Sequence, residues 1–177
     1  DINNPIAFNS SNTIVSSVNA TNPNYDIAIN SADADAGNAV FAYNSNASNT
    51  LGVGYITTEG VVGGPSNGYP AVVTVGSTNS NDLITITTDQ VNTDPTEAER
   101  IYVAYSSRTA SAGLKVKRFK GILTVEATHT VEGSATQITG ASIIITQAGD
   151  LQIIYTFSAT NTYDYQVKGA VYDVSAD

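Results

Sequence analysis

Short apolar runs separated by polar turns recur along the whole chain, and they are clearest near its end. Three such runs cover residues 143–146, 151–157 and 165–172. Ala148, Gly149 and Asp150 provide a tight-turn signal between the first two runs, and a segment rich in Ser, Thr and Asn precedes the third. Closely spaced strand patterns of this kind predict an antiparallel meander.

The same pattern occurs twice earlier in the chain. The segments AVFAY, IYVAY and LQIIY end at Tyr43, Tyr105 and Tyr155, and each has further apolar runs before and after it. We therefore predict three four-stranded repeats, over residues 13–62, 71–121 and 122–174, with residues 1–12 as an N-terminal arm. A glycine-rich segment at 59–70 is interpreted as a link between repeats. Together the repeats are predicted to form one structural domain.

No stretch shows the 3.6-residue periodicity of an amphipathic helix, so the predicted class is all-β. Four-stranded units that repeat every roughly 50 residues are typical of β-propeller blades, because radial stacking covers both faces of each sheet. A closed ring needs about four blades or more, and three are predicted here. Either two chains close one ring, or the chain is part of a longer array. The alternative architecture is a β-sandwich or jelly roll.

The repeated segments resemble the blade repeats of sialidase-type β-propellers. The likeness rests on a strand of small or β-branched residues, a Gly-containing turn, the VAY segment that ends at Tyr105, a polar loop and the L-x-V strand from Leu114 to Val116. Such repeats occur in phage tail-fibre proteins and secreted bacterial surface proteins, which the resemblance implies as the context. The sialidase Asp-box, S-x-D-x-G-x-T-W, is absent, and the catalytic arginines and tyrosine of sialidases cannot be mapped onto this sequence.

Composition limits the partners and the compartment. The formal net charge of −9 argues against nucleic-acid binding, which depends on neutralising phosphates. No apolar run is long enough to predict a membrane span. The sequence contains no Cys, Met or Trp. Because it lacks Met, we expect the chain to be part of a longer or processed protein. Its many Asn, Thr and Ser residues favour an extracellular or virion-surface location.

The basic residues are unevenly placed. Positions 1–99 contain no Lys or Arg, whereas all the basic residues except Lys168 lie between Arg100 and Lys120. We interpret this basic run as a solvated strand face, which is the commoner role of such runs, rather than as a ligand-binding patch. The alternative interpretation of the charge asymmetry is packing between neighbouring acidic and basic units.

One short segment has the spacing of a calcium loop. Asp33 and Asp35 alternate along the chain, followed by Gly37 and Asn38, and alternating carboxylates can converge on a hard cation. The candidate ligands are Asp33, Asp35 and Asn38, and no other cofactor is predicted. The alternative interpretation is an ordinary turn, since Asp, Gly and Asn are common turn residues.

The candidate ligand-binding residues lie in the last polar loop. Asn161, Tyr163, Asp164 and Tyr165 combine aromatic faces with hydrogen-bonding groups, which is the combination that binds sugars. His129 is the only histidine and is predicted to lie on a surface or edge strand. No nucleophile, phosphate-loop or dinucleotide motif is present, so we predict that the chain is not an enzyme.

These features favour a non-enzymatic structural or adhesive module of a virion appendage or secreted surface protein. Its expected partners are copies of itself, other subunits of the same assembly or a cell-surface glycan. One alternative is a self-assembling coat, filament or decoration subunit with a sandwich fold. Another is a glycan-cleaving enzyme, which would require two carboxylates at a fixed separation across a cleft.

Overall fold

The computed structural model describes residues 24–30, 38–44, 50–56, 62–63, 71–74, 81–89, 100–107, 113–120, 124–133, 137–159 and 165–173. These residues form twelve β-strands and no helix, so the all-β class is confirmed. The strands are β1 (Tyr25–Asn30), β2 (Asn38–Asn44), β3 (Thr50–Ile56), β4 (Val62–Gly63), β5 (Ala71–Thr74), β6 (Asn81–Thr88), β7 (Ile101–Ser107), β8 (Leu114–Lys120), β9 (Thr124–Glu132), β10 (Gln137–Ile145), β11 (Leu151–Ser158) and β12 (Gln166–Tyr172).

The strands form three antiparallel sheets, which we number in chain order. Sheet 1 has the order β1-β2-β3, and both β4 and β5 pair with the free side of β3. Sheet 2 has the order β6-β7-β8-β9, and sheet 3 has the order β10-β11-β12. Consecutive strands that pair in this way form meanders, as the apolar runs predicted.

The sheets and the predicted repeats are out of phase by one strand. Strand β5, predicted to open the second repeat, pairs with β3 of sheet 1. Strand β9, predicted to open the third repeat, pairs with β8 of sheet 2. Part of the predicted glycine-rich link also forms strand β4. The physical reason is that a strand at a repeat boundary can pair either with strands before it or with strands after it, and a repeating pattern does not reveal where one sheet ends.

Sheet 2 lies between the other two sheets, and side chains on both faces of its strand β7 are buried. On one face Ile101, Val103 and Tyr105 join an apolar cluster shared with sheet 1. On the other face Tyr102 and Ala104 join a cluster shared with sheet 3. Alternate residues of a strand point to opposite faces, so β7 is apolar along its length because it has a neighbour on each side.

The first strand of sheet 2 contacts the first strands of the other two sheets. Strand β6 contacts both β1 and β10. The amide of Ile86 on β6 donates to the Asp26 carboxylate on β1 (3.0 Å), and the Thr88 hydroxyl donates to the Ile29 carbonyl (2.6 Å). Because β6 is an edge strand of sheet 2, the first bond occupies a backbone amide that would otherwise remain open at that edge.

Two glycines occupy positions that need them. Gly149 has φ of 91°, which favours glycine, and its amide donates to the Thr146 carbonyl (2.9 Å), so the predicted turn at 148–150 is confirmed. Gly52 lies beneath the buried ring of Tyr43 on the neighbouring strand, and a Cβ added there would overlap that ring.

We predict that Gly52→Ala destabilises the protein by about 1–3 kcal/mol, because the Tyr43 ring must shift to admit the methyl group. The control is Gly169→Ala, where the nearest atom to an added Cβ is the Ile153 carbonyl oxygen at 3.8 Å. Urea unfolding of both variants measures the difference. If both substitutions lower the free energy of unfolding by the same amount, the close packing of the Tyr43 ring on β3 does not contribute to stability.

Candidate functional site

A cleft of about 210 Å³ lies between sheets 2 and 3. Tyr102, His129, Thr130 and Tyr172 bring aromatic rings and polar groups to its wall. The rest of the lining is aliphatic and consists of Val116, Val131, Leu151, Ile153, Ala170 and Val171. A concave apolar surface with a few polar groups is the usual form of a small-ligand site.

An aromatic pair joins the two walls of the cleft. His129 lies on β9 opposite Val116, and Tyr172 lies at the end of β12 opposite Leu151. Their ring centroids are 4.6 Å apart and the ring planes are inclined by 46°. Since β9 is the last strand of sheet 2, the predicted edge-strand location of His129 is confirmed. Its position at an inter-sheet cleft could not be deduced from sequence.

Three charged side chains meet at one end of sheet 2. Glu126 is the extra residue of a β-bulge in β9, where the register with β8 shifts after Arg118. Its Oε2 atom accepts from Nε of Arg100 (3.3 Å) and lies 3.0 Å from Nε of Arg118. A bulge can turn a side chain out of the regular alternation of a strand. Here it allows one carboxylate to contact two arginines on different strands.

The prediction that the basic run forms a solvated face is wrong. Arg100, Lys117 and Arg118 are all buried. The two arginines are next to Glu126, and Lys117 donates to the Thr128 hydroxyl (2.9 Å). Burial, and secondarily Lys115, lower the pKa of Lys117. These side chains are covered because sheet 2 has a neighbouring sheet on each face, which a single strand pattern does not show.

Tyr102 connects this charged end to the cleft. It is fully buried, pairs with Arg118 across β7 and β8, and also lines the cleft. Burial raises the pKa of its hydroxyl, and the positive charge of Arg100 opposes that increase. Asp89 raises the same pKa and Arg118 lowers it. At neutral pH, Tyr102 is therefore an uncharged phenol that lies beside two guanidinium groups.

A second polar contact ties sheet 3 to the other end of β9. The Lys168 ammonium on β12 donates to Oε2 of Glu132 (2.9 Å), and the Tyr155 hydroxyl donates to the same oxygen (3.4 Å). The ammonium also lies 3.4 Å from the ring centroid of Phe157. Burial, followed by Glu132, raises the pKa of Tyr155, whereas Lys168 lowers it. Sheets 2 and 3 are thus fixed by an ion pair as well as by apolar contacts.

Of the residues predicted from sequence, those that the structure describes do not line this cleft. Tyr165 is exposed just before β12 and does not line the cleft. Asn161, Tyr163 and Asp164 are outside the described residues, so the predicted ligand patch stays a prediction. Asp33 and Asp35 of the predicted calcium loop are also outside them, and Asn38 begins β2. Within the part of the chain that the structure describes, no group of three or more His, Asp or Glu residues is arranged to hold a metal ion.

Comparison with known proteins gives a likeness in fold. No protein-family model matches this sequence, and no curated protein matches it. Among solved structures, the intramolecular trans-sialidase from Ruminococcus gnavus in complex with oseltamivir carboxylate is similar, with a TM-score of 0.52 and 9% sequence identity. The similarity covers 85% of this chain and 32% of that chain, so this chain spans about a third of the trans-sialidase. The expected fold likeness to a sialidase is confirmed.

Within the described ranges, no helix is long and apolar enough to cross a bilayer.

We predict that Glu126→Ala destabilises the protein by about 1–2 kcal/mol, because it removes the carboxylate that two buried arginines share, while solvent at the carboxylate screens the interaction. Glu126→Gln should lose less, since the amide oxygen can still accept from one arginine. Urea unfolding at neutral pH measures both free energies of unfolding. A loss below about 0.5 kcal/mol for Glu126→Ala would mean that this contact behaves as a solvent-screened surface pair.

We also predict that stability falls between pH 10 and about 12, partly because of Tyr105. Burial raises the pKa of Tyr105 to about 12, whereas a tyrosine in the unfolded chain ionises near 10. The unfolded state therefore loses a proton first, and stability declines by on the order of 1.4 kcal/mol per pH unit for each such group. Tyr105→Phe should reduce this slope, measured by urea unfolding at successive pH values. An unchanged slope would contradict the assignment.

Proposed function

We propose that this chain is a non-enzymatic, β-propeller-like module that binds a glycan in the cleft between sheets 2 and 3. It would belong to an exposed assembly such as a virion appendage or a secreted surface protein. The observation that carries the proposal is the His129–Tyr172 pair, which joins two sheets across a cleft that Tyr102 and Thr130 also line.

The arrangement of sheets supports a propeller-like module. Three sheets follow one another in chain order, and their first strands, β1, β6 and β10, meet at β6. Radially stacked sheets make this kind of contact at their inner strands. A sandwich would instead enclose one core between two sheets, so the coat-subunit alternative has less support. The likeness to part of a trans-sialidase agrees with the propeller-like interpretation.

The chemistry of the cleft supports a sugar ligand. Sugars present apolar faces that stack on aromatic rings and hydroxyl groups that exchange hydrogen bonds. Tyr172 offers such a ring, while Thr130 and His129 offer polar groups beside it. A volume of about 210 Å³ is small, which favours recognition of one sugar unit or the end of a chain.

A glycan-cleaving enzyme is the second candidate, because Tyr102 lies beside Arg100 and Arg118 in a sialidase-like fold. Two features favour binding over cleavage. The Tyr102 side chain is fully buried and its pKa is raised, so it is poorly placed as a nucleophile. Both arginines contact the Glu126 carboxylate rather than opening onto the cleft.

We predict that Tyr172→Ala weakens glycan binding by roughly tenfold or more, since it removes the stacking surface of the cleft. An array of neutral and acidic oligosaccharides would identify the best ligand, and calorimetric titration would then compare variants. Tyr165→Ala is the matched control, because Tyr165 is an exposed tyrosine outside the cleft. Loss of binding in Tyr165→Ala alone would place the ligand at the loop that contains Tyr163 instead.

Hydrolysis of the same oligosaccharides decides between binding and cleavage. We expect no turnover by the wild-type chain. Turnover that Tyr102→Phe abolishes and Tyr105→Phe preserves would overturn the non-enzymatic proposal, because Tyr105 lies on the opposite face of the same strand.

A further inference from the structure

The two outer sheets each expose apolar side chains on the face that points away from sheet 2. On sheet 1 these are Tyr25, Ile27 and Ile29, which we name the leading face. On sheet 3 they are Ile144, Ile154 and Val167, which we name the trailing face. Monomeric proteins seldom leave large contiguous apolar patches open to water.

The strand registers show which buried positions correspond to the leading face. Ile27 occupies the same position in sheet 1 as Ile86 in sheet 2 and Ile143 in sheet 3. Each lies on the first strand of its sheet and pairs with the second strand. Ile86 and Ile143 are each 5% exposed because the preceding sheet covers them, whereas Ile27 is 55% exposed. Among the residues that the structure describes, no sheet precedes sheet 1 to cover Ile27.

The trailing face shows the same relation in the other direction. Ile154 lies one residue before Tyr155, as Ala42 lies before Tyr43 and Ala104 before Tyr105. Ala42 and Ala104 are fully buried against the following sheet, whereas Ile154 is 60% exposed. In the described part of the chain, no sheet follows sheet 3 to cover Ile154.

The repeated tyrosines indicate the direction of stacking. Tyr155 contacts Glu132 of sheet 2, and Tyr105 packs in the cluster shared with sheet 1. Each tyrosine therefore points towards the sheet before its own. Tyr43 pairs with Tyr25 and so points from sheet 1 towards the leading face, where a preceding sheet would lie.

Charge is compatible with contact between two copies. The strand residues on these two faces are aliphatic, aromatic or uncharged polar, including Ser142, Gln152 and Thr156 on sheet 3. The chain as a whole carries a net charge of −9. Two copies could thus meet at these faces without placing acidic side chains against each other.

We propose that two copies of this chain close a ring of six sheets, with the trailing face of each copy packed on the leading face of the other. The proposal rests on the propeller-like arrangement and is independent of the glycan site. The three sheets that the described residues of one copy form are fewer than the roughly four that a closed ring requires. Two copies give six sheets and two identical interfaces related by a twofold axis.

The test is mass in solution by light scattering on the 177-residue chain. We expect twice the 18.4 kDa of one chain. Ile27→Glu and Ile154→Lys should each weaken dimerisation by roughly tenfold or more, because each buries a charge at both interfaces. Val125→Lys is the control, since Val125 is exposed on β9 and lies on neither face.

Mixing the two variants tests the pairing of unlike faces. A mixed dimer of Ile27→Glu and Ile154→Lys has one interface with both original faces and one in which opposite charges meet. We therefore expect dimers in the mixture although each variant alone is monomeric. Thermal unfolding confirms that the variants are folded, and glycan titration of the monomers separates failure of this proposal from failure of the cleft assignment.

A folded wild-type monomer would overturn the proposal and indicate that other sheets cover the two faces. A dimer that only one of the two substitutions disrupts would also overturn it, because like faces would then be in contact. Open polymers in place of a dimer would show that the unlike faces meet without closing a ring.

Discussion

The structure depends on covering both faces of sheet 2. Every residue of β7 from Ile101 to Ser106 is buried, so this strand has no side suited to water. Its odd-numbered apolar residues need sheet 1 and its even-numbered ones need sheet 3. A twisted sheet with two apolar faces is stable only between two others, which explains why three sheets and not two form the described core. The cleft is a consequence, because it lies where sheets 2 and 3 are joined by side chains rather than by strand pairing.

Polar contacts fix how the sheets are placed once apolar burial has brought them together. Burial of apolar surface has no direction, whereas the bonds from Ile86 to Asp26 and from Lys168 to Glu132 connect defined positions. The former fixes sheet 1 against sheet 2, and the latter fixes sheet 2 against sheet 3. The Arg100–Glu126–Arg118 contact acts within sheet 2 and stabilises the end that adjoins Tyr102. The position of the two cleft walls relative to each other therefore depends on these contacts.

Local patterns in the sequence predicted most of the strands but less of the arrangement. The turn at Gly149 and the buried repeat tyrosines Tyr43, Tyr105 and Tyr155 follow from alternation and turn chemistry, which act over a few residues. The phase of the sheets was missed because the pairing of β9 with β8 is a choice between neighbours with similar patterns. Burial of Arg118 was missed because it depends on a sheet that is distant in sequence.

The residues of the candidate site were harder to predict from sequence than the strands, for the same reason. Nothing near His129 in the sequence points to Tyr172, since their contact joins the last strand of one sheet to the last strand of the next. Glu126 reaches two arginines only because a bulge reorients it, and no residue type in that segment marks a bulge. One signal was available: an isolated histidine in an all-β repeat with recurrent tyrosines is a candidate for aromatic contact between sheets. This site is formed by the stacking of whole sheets. Its residues can therefore be identified from sequence only after each strand has been assigned to the correct sheet.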